Sequence, residues 1–213
     1  MSASEGKPVL HYLDIGSLGR GEVIRLFLKD AGIDFEDTRY PFNDSWKDTK
    51  AELQKKGISR TGKVPVLEYK GIYLSQHIPI LRYLARELKA YDGATSLEKH
   101  LVDVVADLYI DWRHSLYQAQ WVANLEKLSD SYKNEILPDH YKTLAYYYGK
   151  NGGPFLLGDR VTYADFAVFQ SIDNNEKIGA DATLPEELLK FKTAFEARPR
   201  VAAYLKSGRN TKA

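Results

Sequence analysis

The stretch GKVPVLEYKGIYLSQHIPILRYLA, Gly62 to Ala85, puts a proline one residue into a strand and opens a helix at Ser75-Gln76-His77. Proline is tolerated where a strand begins at a sheet edge, so Val64-Pro65 is read as the start of an edge strand. Backbone groups of Val64 would then face an extended, peptide-like ligand. A helix beginning at Gln76 adds amide donors and the positive end of its dipole beside that edge. Such a corner suits a peptide-like molecule carrying a carboxylate. A structural turn proline followed by an ordinary helix start fits the same spacing.

Other residues group by spacing. Trp46 and Lys50 lie at i and i+4, on one helical face. They suit either an anion clamp or an aromatic anchor beside a solvated lysine. Asp111, His114, Gln118 and Trp121 lie at i, i+3, i+7 and i+10 and form one polar and aromatic stripe. Such a stripe lines a pocket or packs against a second helix. The five histidines, His11, His77, His100, His114 and His140, are scattered and give no metal spacing. The chain has no cysteine, so disulfides, thiolate metal sites and a cysteine nucleophile are excluded. Any sulfur chemistry must occur on a ligand's sulfur.

The elements that would position these groups change character along the chain. Val9–Asp14 is a short apolar strand, followed by the glycine-rich turn IGSLGRGE. Val23, Ile24, Phe27, Leu28 and Ala31 then recur at helical spacing, with Gly32 as the stop. Phe35–Tyr40 reads as a second strand, and Asp44 or Ser45 caps a helix through about Lys56. Val64–Tyr69 and Ile72–Leu74 flank a hairpin turn at Lys70-Gly71, and a helix follows to Leu88. The order β-α-β-α-β-β-α makes a small mixed sheet covered by helices. Ala90-Tyr91-Asp92-Gly93 is a turn-rich joint. Beyond it the periodicity is helical, over Leu97–Leu128, Tyr132–Gly149, Pro185–Glu196 and a last segment after Pro199. Thr162-Tyr163-Ala164-Asp165 is a capping signature, and the polar C-terminal SGRNTKA is expected to fray.

Composition bounds the function. The 213 residues allow one large or two small domains, and 44% hydrophobic with 28% charged residues supports a packed core. A formal net charge of +1 without a long run of one sign argues against nucleic-acid binding through a basic face. No apolar stretch reaches the ~18 residues of a membrane span. The segment MSASEGKPVLHYLD has no secretory pattern, so a cytosolic, cytoplasmic protein is expected.

Five motifs in this order, HYLDIGSLGRGE, the Trp and Lys of WKDTK, GKVPVLE, SQHIPILRYLA and VTYADFAVF, resemble those of the cytosolic glutathione transferases. The resemblance spans roughly Lys7 to Lys206 and is nearest in tone to the tyrosine-dependent sigma and mu classes. It implies an α/β thioredoxin-like domain over residues 1–89, followed by an all-α bundle over 94–213 that forms the acceptor-substrate pocket. It implies glutathione as co-substrate, no metal, and a homodimer. In that frame Tyr12 stabilises the thiolate, with Arg20 as an electrostatic support. Trp46, Lys50, Lys63, Val64, Pro65, Gln76 and His77 bind glutathione, with Val64 pairing the tripeptide's backbone across a cis Val64-Pro65 bond. Asp111 reaches the γ-glutamyl amine in the neighbouring subunit, and His114, Gln118 and Trp121 wall the acceptor pocket.

This sequence departs from the sigma pattern in three places. The turn after Tyr12 is two residues longer, the AELQKKGISRTG segment is longer, and His77 stands where serine or threonine is usual. The chemistry implied is conjugation of the glutathione thiolate to an electrophilic, apolar acceptor. A glutathione-dependent isomerase or peroxidase is a variant of it. The alternatives of another class are a non-catalytic binding or regulatory protein of the same fold, which His77 favours, and a carrier of apolar ligands.

Overall fold

The computed structural model of the chain describes residues 6–119, 128–180 and 182–209. Its contacts divide it into two compact units. One runs to Leu84 and takes back the segment from Arg198; the other is Ala85–Ala197.

The first unit holds β1 (Val9–Leu13), α1 (Arg20–Asp30), β2 (Glu36–Tyr40), α2 (Trp46–Lys55), β3 (Val66–Tyr69) and β4 (Ile72–Ser75). Helix α3 (His77–Leu88) runs across the boundary with the second unit. The sheet order is β2-β1-β3-β4, with β1 and β2 parallel and β3 antiparallel to both neighbours. This corrects the reading of β3 as an edge: it is an inner strand, and β2 and β4 are the edges. Pro65 is tolerated for another reason. Pairing begins at Val66, so the proline falls just outside the ladder and no inter-strand bond needs its missing N–H. The Val64-Pro65 peptide is cis.

Strand alternation sorts the side chains between two faces. Leu10 and Leu67 on one face, and Val23, Ile24, Phe27 and Leu28 of α1, are fully buried. The α1 periodicity seen in the sequence is therefore the packing face of that helix. It ends where Gly32 adopts φ +70°, a left-handed conformation that glycine takes without a Cβ penalty.

The second unit is helical: α4 (Ser96–Tyr117), α5 (Leu137–Tyr148), α6 (Tyr163–Lys177) and α7 (Glu186–Glu196). A capping box of Thr95 and Glu98 starts α4, and a π-helical turn, Tyr132–Ile136, leads into α5. The expected box at Thr162 starts α6. The Asp165 carboxylate accepts from Thr162 N–H at 2.6 Å, Thr162 Oγ1 at 2.8 Å, Tyr148 Oη at 2.8 Å and Leu156 N–H at 3.2 Å. A fully buried carboxylate is tolerated because four donors surround it. A second buried chain runs from Trp112 Nε1 to Tyr132 Oη at 3.0 Å and on to Asn175 Oδ1 at 2.9 Å. Burial pushes the Tyr132 phenol up to about 12.

Helix α8 (Pro199–Lys206) closes the described chain and packs on α1, in the first unit. By its contacts the segment from Arg198 on belongs with the first unit. Of the segment SGRNTKA, Ser207–Arg209 is described, with Arg209 buried against α1, and 210–213 lie outside the described residues. No helix among the described residues is long and apolar enough to cross a membrane.

Candidate functional site

Tyr12 is the second-last residue of β1, and its side chain is 5% exposed. Its hydroxyl accepts the backbone N–H of Arg20, the first residue of α1, at 2.9 Å. A phenol oxygen that accepts one hydrogen bond keeps its own proton to donate. The α1 dipole end lies at the same point, where negative charge is favoured. Arg20 therefore acts on Tyr12 through its amide.

The glycine-rich turn explains how the ring fits there. A Cβ on Gly21 would lie 2.3 Å from Tyr12 Cγ and Cδ1, and one on Gly19 would lie 2.5 Å from the hydroxyl. Gly19 also has φ +75°. Both positions need glycine, because the backbone of the turn rests directly on the phenol.

Arg25 fixes the same assembly from behind. Its guanidinium carbon is 5.6 Å from the centre of the Tyr12 ring. Its Nη1 donates to the Gly16 carbonyl at 3.3 Å, and its Nε and Nη2 grip Asp37 at 3.0 Å each. Asp37 also takes Arg39 Nε at 2.8 Å. Glu22, wholly buried one turn earlier on α1, receives Arg25 Nη1 at 3.4 Å, Tyr204 Oη at 3.1 Å and Arg209 Nη1 at 2.6 Å. The Glu22 pKa is raised by burial, a rise that the Arg25 and Arg209 guanidiniums only partly offset. Sequence reasoning missed Gly19, Gly21, Glu22 and Arg25. The available signals were two glycines flanking Arg20 and a Glu-x-x-Arg pair at helical spacing.

Strand register gathers the other candidates near Tyr12. His11 pairs with Val66 and Val66 with Ser75. One step further, at the ladder's end, come Tyr12, Pro65 and Gln76. Gln76 is exposed, has φ +69°, and its carbonyl accepts Ile80 N–H at 2.9 Å to start α3. A non-glycine residue in the left-handed region costs about 1–3 kcal/mol, and such residues cluster at functional sites. His77 follows, and its side chain is 2% exposed. It does not turn to solvent.

Trp46 opens α2 half-buried, its ring 6.5 Å from both Tyr40 and Phe42. Behind Tyr40, His11 Nδ1 lies 2.7 Å from the Tyr40 hydroxyl. Lys50 is exposed, and its stem lies across Gly62: a Cβ there would meet Lys50 Cγ at 2.4 Å. Lys63, one residue on, is also exposed and is held by Ser59 Oγ on its carbonyl at 2.7 Å. Lys50 and Lys63 are thus brought to one rim by the lengthened segment.

In the helical unit, Asp111, His114 and Gln118 share the exposed face of α4 and its extension, with His114 Nε2 3.3 Å from Gln118 Nε2. Trp121 lies outside the described residues. No group of three or more potential metal ligands occurs among the described residues.

Comparison with known proteins agrees with this architecture. The family model described as "Glutathione S-transferase, N-terminal domain" matches residues 8–86, and "Glutathione S-transferase, C-terminal domain" matches residues 110–208. A glutathione S-transferase of Tyrophagus putrescentiae is 32% identical over 94% of this chain and 90% of its own. Glutathione S-transferase A1 of Mus musculus is 32% identical over 97% and 91%. The Onchocerca volvulus Pi-class glutathione S-transferase structure superposes with a TM-score of 0.75, at 25% identity over 94% of this chain and 93% of its own. The chain belongs to the glutathione S-transferase family.

Proposed function

We propose that this protein is a tyrosine-dependent glutathione transferase in which Tyr12 donates a hydrogen bond to the sulfur of bound glutathione and so holds it as the thiolate. The observation that carries the reading is the Tyr12 hydroxyl accepting the Arg20 amide at 2.9 Å. That bond uses a lone pair, fixes the ring and leaves the phenolic proton for the thiolate. A free thiol has a pKa of about 8.5 and is a few per cent ionised at neutral pH. Lowering it by about two units takes ~2.7 kcal/mol, within reach of a hydrogen bond to a charged acceptor in a partly dry site. The thiolate, its proton released to solvent, then attacks an electrophilic carbon of an apolar acceptor: the new C–S bond displaces a leaving group, such as chloride, with its electron pair.

Glutathione binding draws on Gln76 and the His77 backbone at the start of α3, on the Val64 backbone beside Pro65, and on Trp46, Lys50 and Lys63 at the α2 rim. His114 and Gln118 on α4 contact the acceptor. Asp111, exposed on α4, reaches glutathione held by a second copy, so the working form is a homodimer. The reading rests on Tyr12 rather than on a sigma- or mu-like class, since the relatives carry several class names.

The test is retention on immobilised glutathione, then conjugation to a chlorinated nitrobenzene, with titration of the thiolate ultraviolet band in wild type and Tyr12→Phe. The variant is expected to return the bound thiol towards its free pKa while keeping glutathione affinity within a few-fold. An identical thiolate titration in both proteins refutes the role of Tyr12, and binding without turnover supports the non-catalytic alternative.

A further inference from the structure

Helix α8 lies along α1 and is fastened at both ends. At its start, Arg198 holds Asp30 through Nε at 2.9 Å and Nη2 at 2.6 Å, and Arg200 Nη1 donates to the Asp30 carbonyl at 3.1 Å. At its other end, Tyr204 Oη from the last turn and Arg209 Nη1 from just past it both reach Glu22. The first clasp grips the last turn of α1, far from Tyr12. The second grips the first turn, where Arg20 and Gly21 touch the phenol.

The two clasps differ in burial. The Arg198 side chain is 25% exposed, whereas Arg209 and Glu22 are 5% and 0% exposed. A charge pair this dry is sensitive to losing one member, because the survivor cannot recruit water. Charge balance shows what the survivor would do. Glu22 and Asp37 are the two carboxylates on Arg25; counted with Asp14, they balance the three guanidiniums of Arg25, Arg39 and Arg209. Arg25 touches both of these carboxylates, the Gly16 carbonyl of the turn and the Tyr12 ring. Without Arg209, an unbalanced buried Glu22 would draw Arg25 to itself, away from Gly16 and Asp37. It would also leave a net negative charge next to the place where the thiolate forms.

We propose that Arg209, near the C-terminus, is a positioning residue for Tyr12: it neutralises Glu22, so that Arg25 can hold the turn and ring from which the phenol works. This rests on the transferase reading for its kinetic consequence, but not for its structural one. The experiment is a charge cycle of Arg209→Met, Glu22→Gln and the double variant, with Arg209→Lys as the conservative control. Three readouts apply: conjugation kcat/KM, the pH titration of the bound thiolate, and hydrogen exchange of the amides from Ile15 to Glu22.

Arg209→Met is expected to lower kcat/KM about tenfold. It should raise the thiol pKa and speed exchange of the Arg20 amide, with the KM for glutathione nearly unchanged. Arg209→Lys should restore most of the rate. The double variant, neutral again, should recover relative to Arg209→Met instead of adding its losses. Should Arg209→Met fail to fold, a folded and active double variant carries the same support. Unchanged Arg20 exchange and thiol pKa in Arg209→Met, or strictly additive losses in the double variant, would overturn the proposal. Absence of glutathione binding in the wild type would sink the transferase reading instead, and the exchange cycle would still decide the positioning role.

Discussion

Replacing Gly21 by alanine sets two physical effects against each other. By helix propensity alone, alanine in place of glycine stabilises a helix by up to about 1 kcal/mol. The contacts at this position predict the opposite. The new Cβ would fall 2.3 Å from Tyr12 Cγ and Cδ1 and 2.9 Å from Cδ2, where ordinary contact begins at 3.4 Å. Ring and helix must therefore separate by roughly 1 Å, a misplacement that costs about 100-fold in rate when it moves a catalytic group. The ring has little room to yield, being 5% exposed with the Arg25 guanidinium over it. Overpacking of this kind costs about 1–3 kcal/mol.

Gly21→Ala should therefore lose stability, and its kcat/KM in glutathione conjugation should fall about 100-fold. Glutathione affinity should stay within a few-fold, because Trp46 and Lys50 belong to α2. A calorimetric melt and steady-state conjugation kinetics measure both effects. A variant as active as wild type and more stable would show that the turn does not seat the phenol, and the assignment of Tyr12 would lose its structural basis.

Three further outcomes are expected. Lys50→Ala should weaken glutathione binding about fivefold, the modest figure reflecting an exposed ammonium; unaltered affinity by calorimetry would remove Lys50 from the site. Burial lowers the pKa of His11 and of His140 from 6.5, so below that pH the unfolded chain binds more protons than the folded one. Stability should be flat above about pH 6.5 and fall as the pH drops through and below it, by at most ~1.4 kcal/mol per pH unit for each group; His11→Gln should flatten the urea-midpoint profile, and an unchanged slope would refute its share. Asp111→Ala should impair glutathione binding only in a dimer, and a fully active wild-type monomer on size-exclusion chromatography would end the shared-site idea.

Local patterns made most of the scaffold readable from the sequence. The α1 periodicity, the hairpin at Lys70-Gly71 and the Thr162 box are each set by residues within a few positions of one another. Strand order is not local, and that is where the reading of β3 failed: a proline before a strand is compatible with an inner strand once pairing starts a residue later. His77 shows a related limit, since its place at the helix start was legible but its burial depends on packing. The place of Arg209 was missed for the same reason. SGRNTKA is polar and short, yet its arginine meets a carboxylate 187 positions earlier in the chain.

These cases share a physical cause that bears on how the site works. A backbone amide and two glycines lie against the phenol, and the side chains behind them, Arg25, Glu22 and Arg209, are buried charges. A turn that presents its backbone has few side chains of its own with which to stiffen itself. Charged groups anchored on β2, α1 and the segment after α8 supply that stiffness from behind. It follows that substitutions in the Arg25–Glu22–Arg209 set should act on the thiolate and rate more than on the glutathione grip at Trp46 and Lys50. A charge variant that lost binding and kept its thiol pKa would contradict this division.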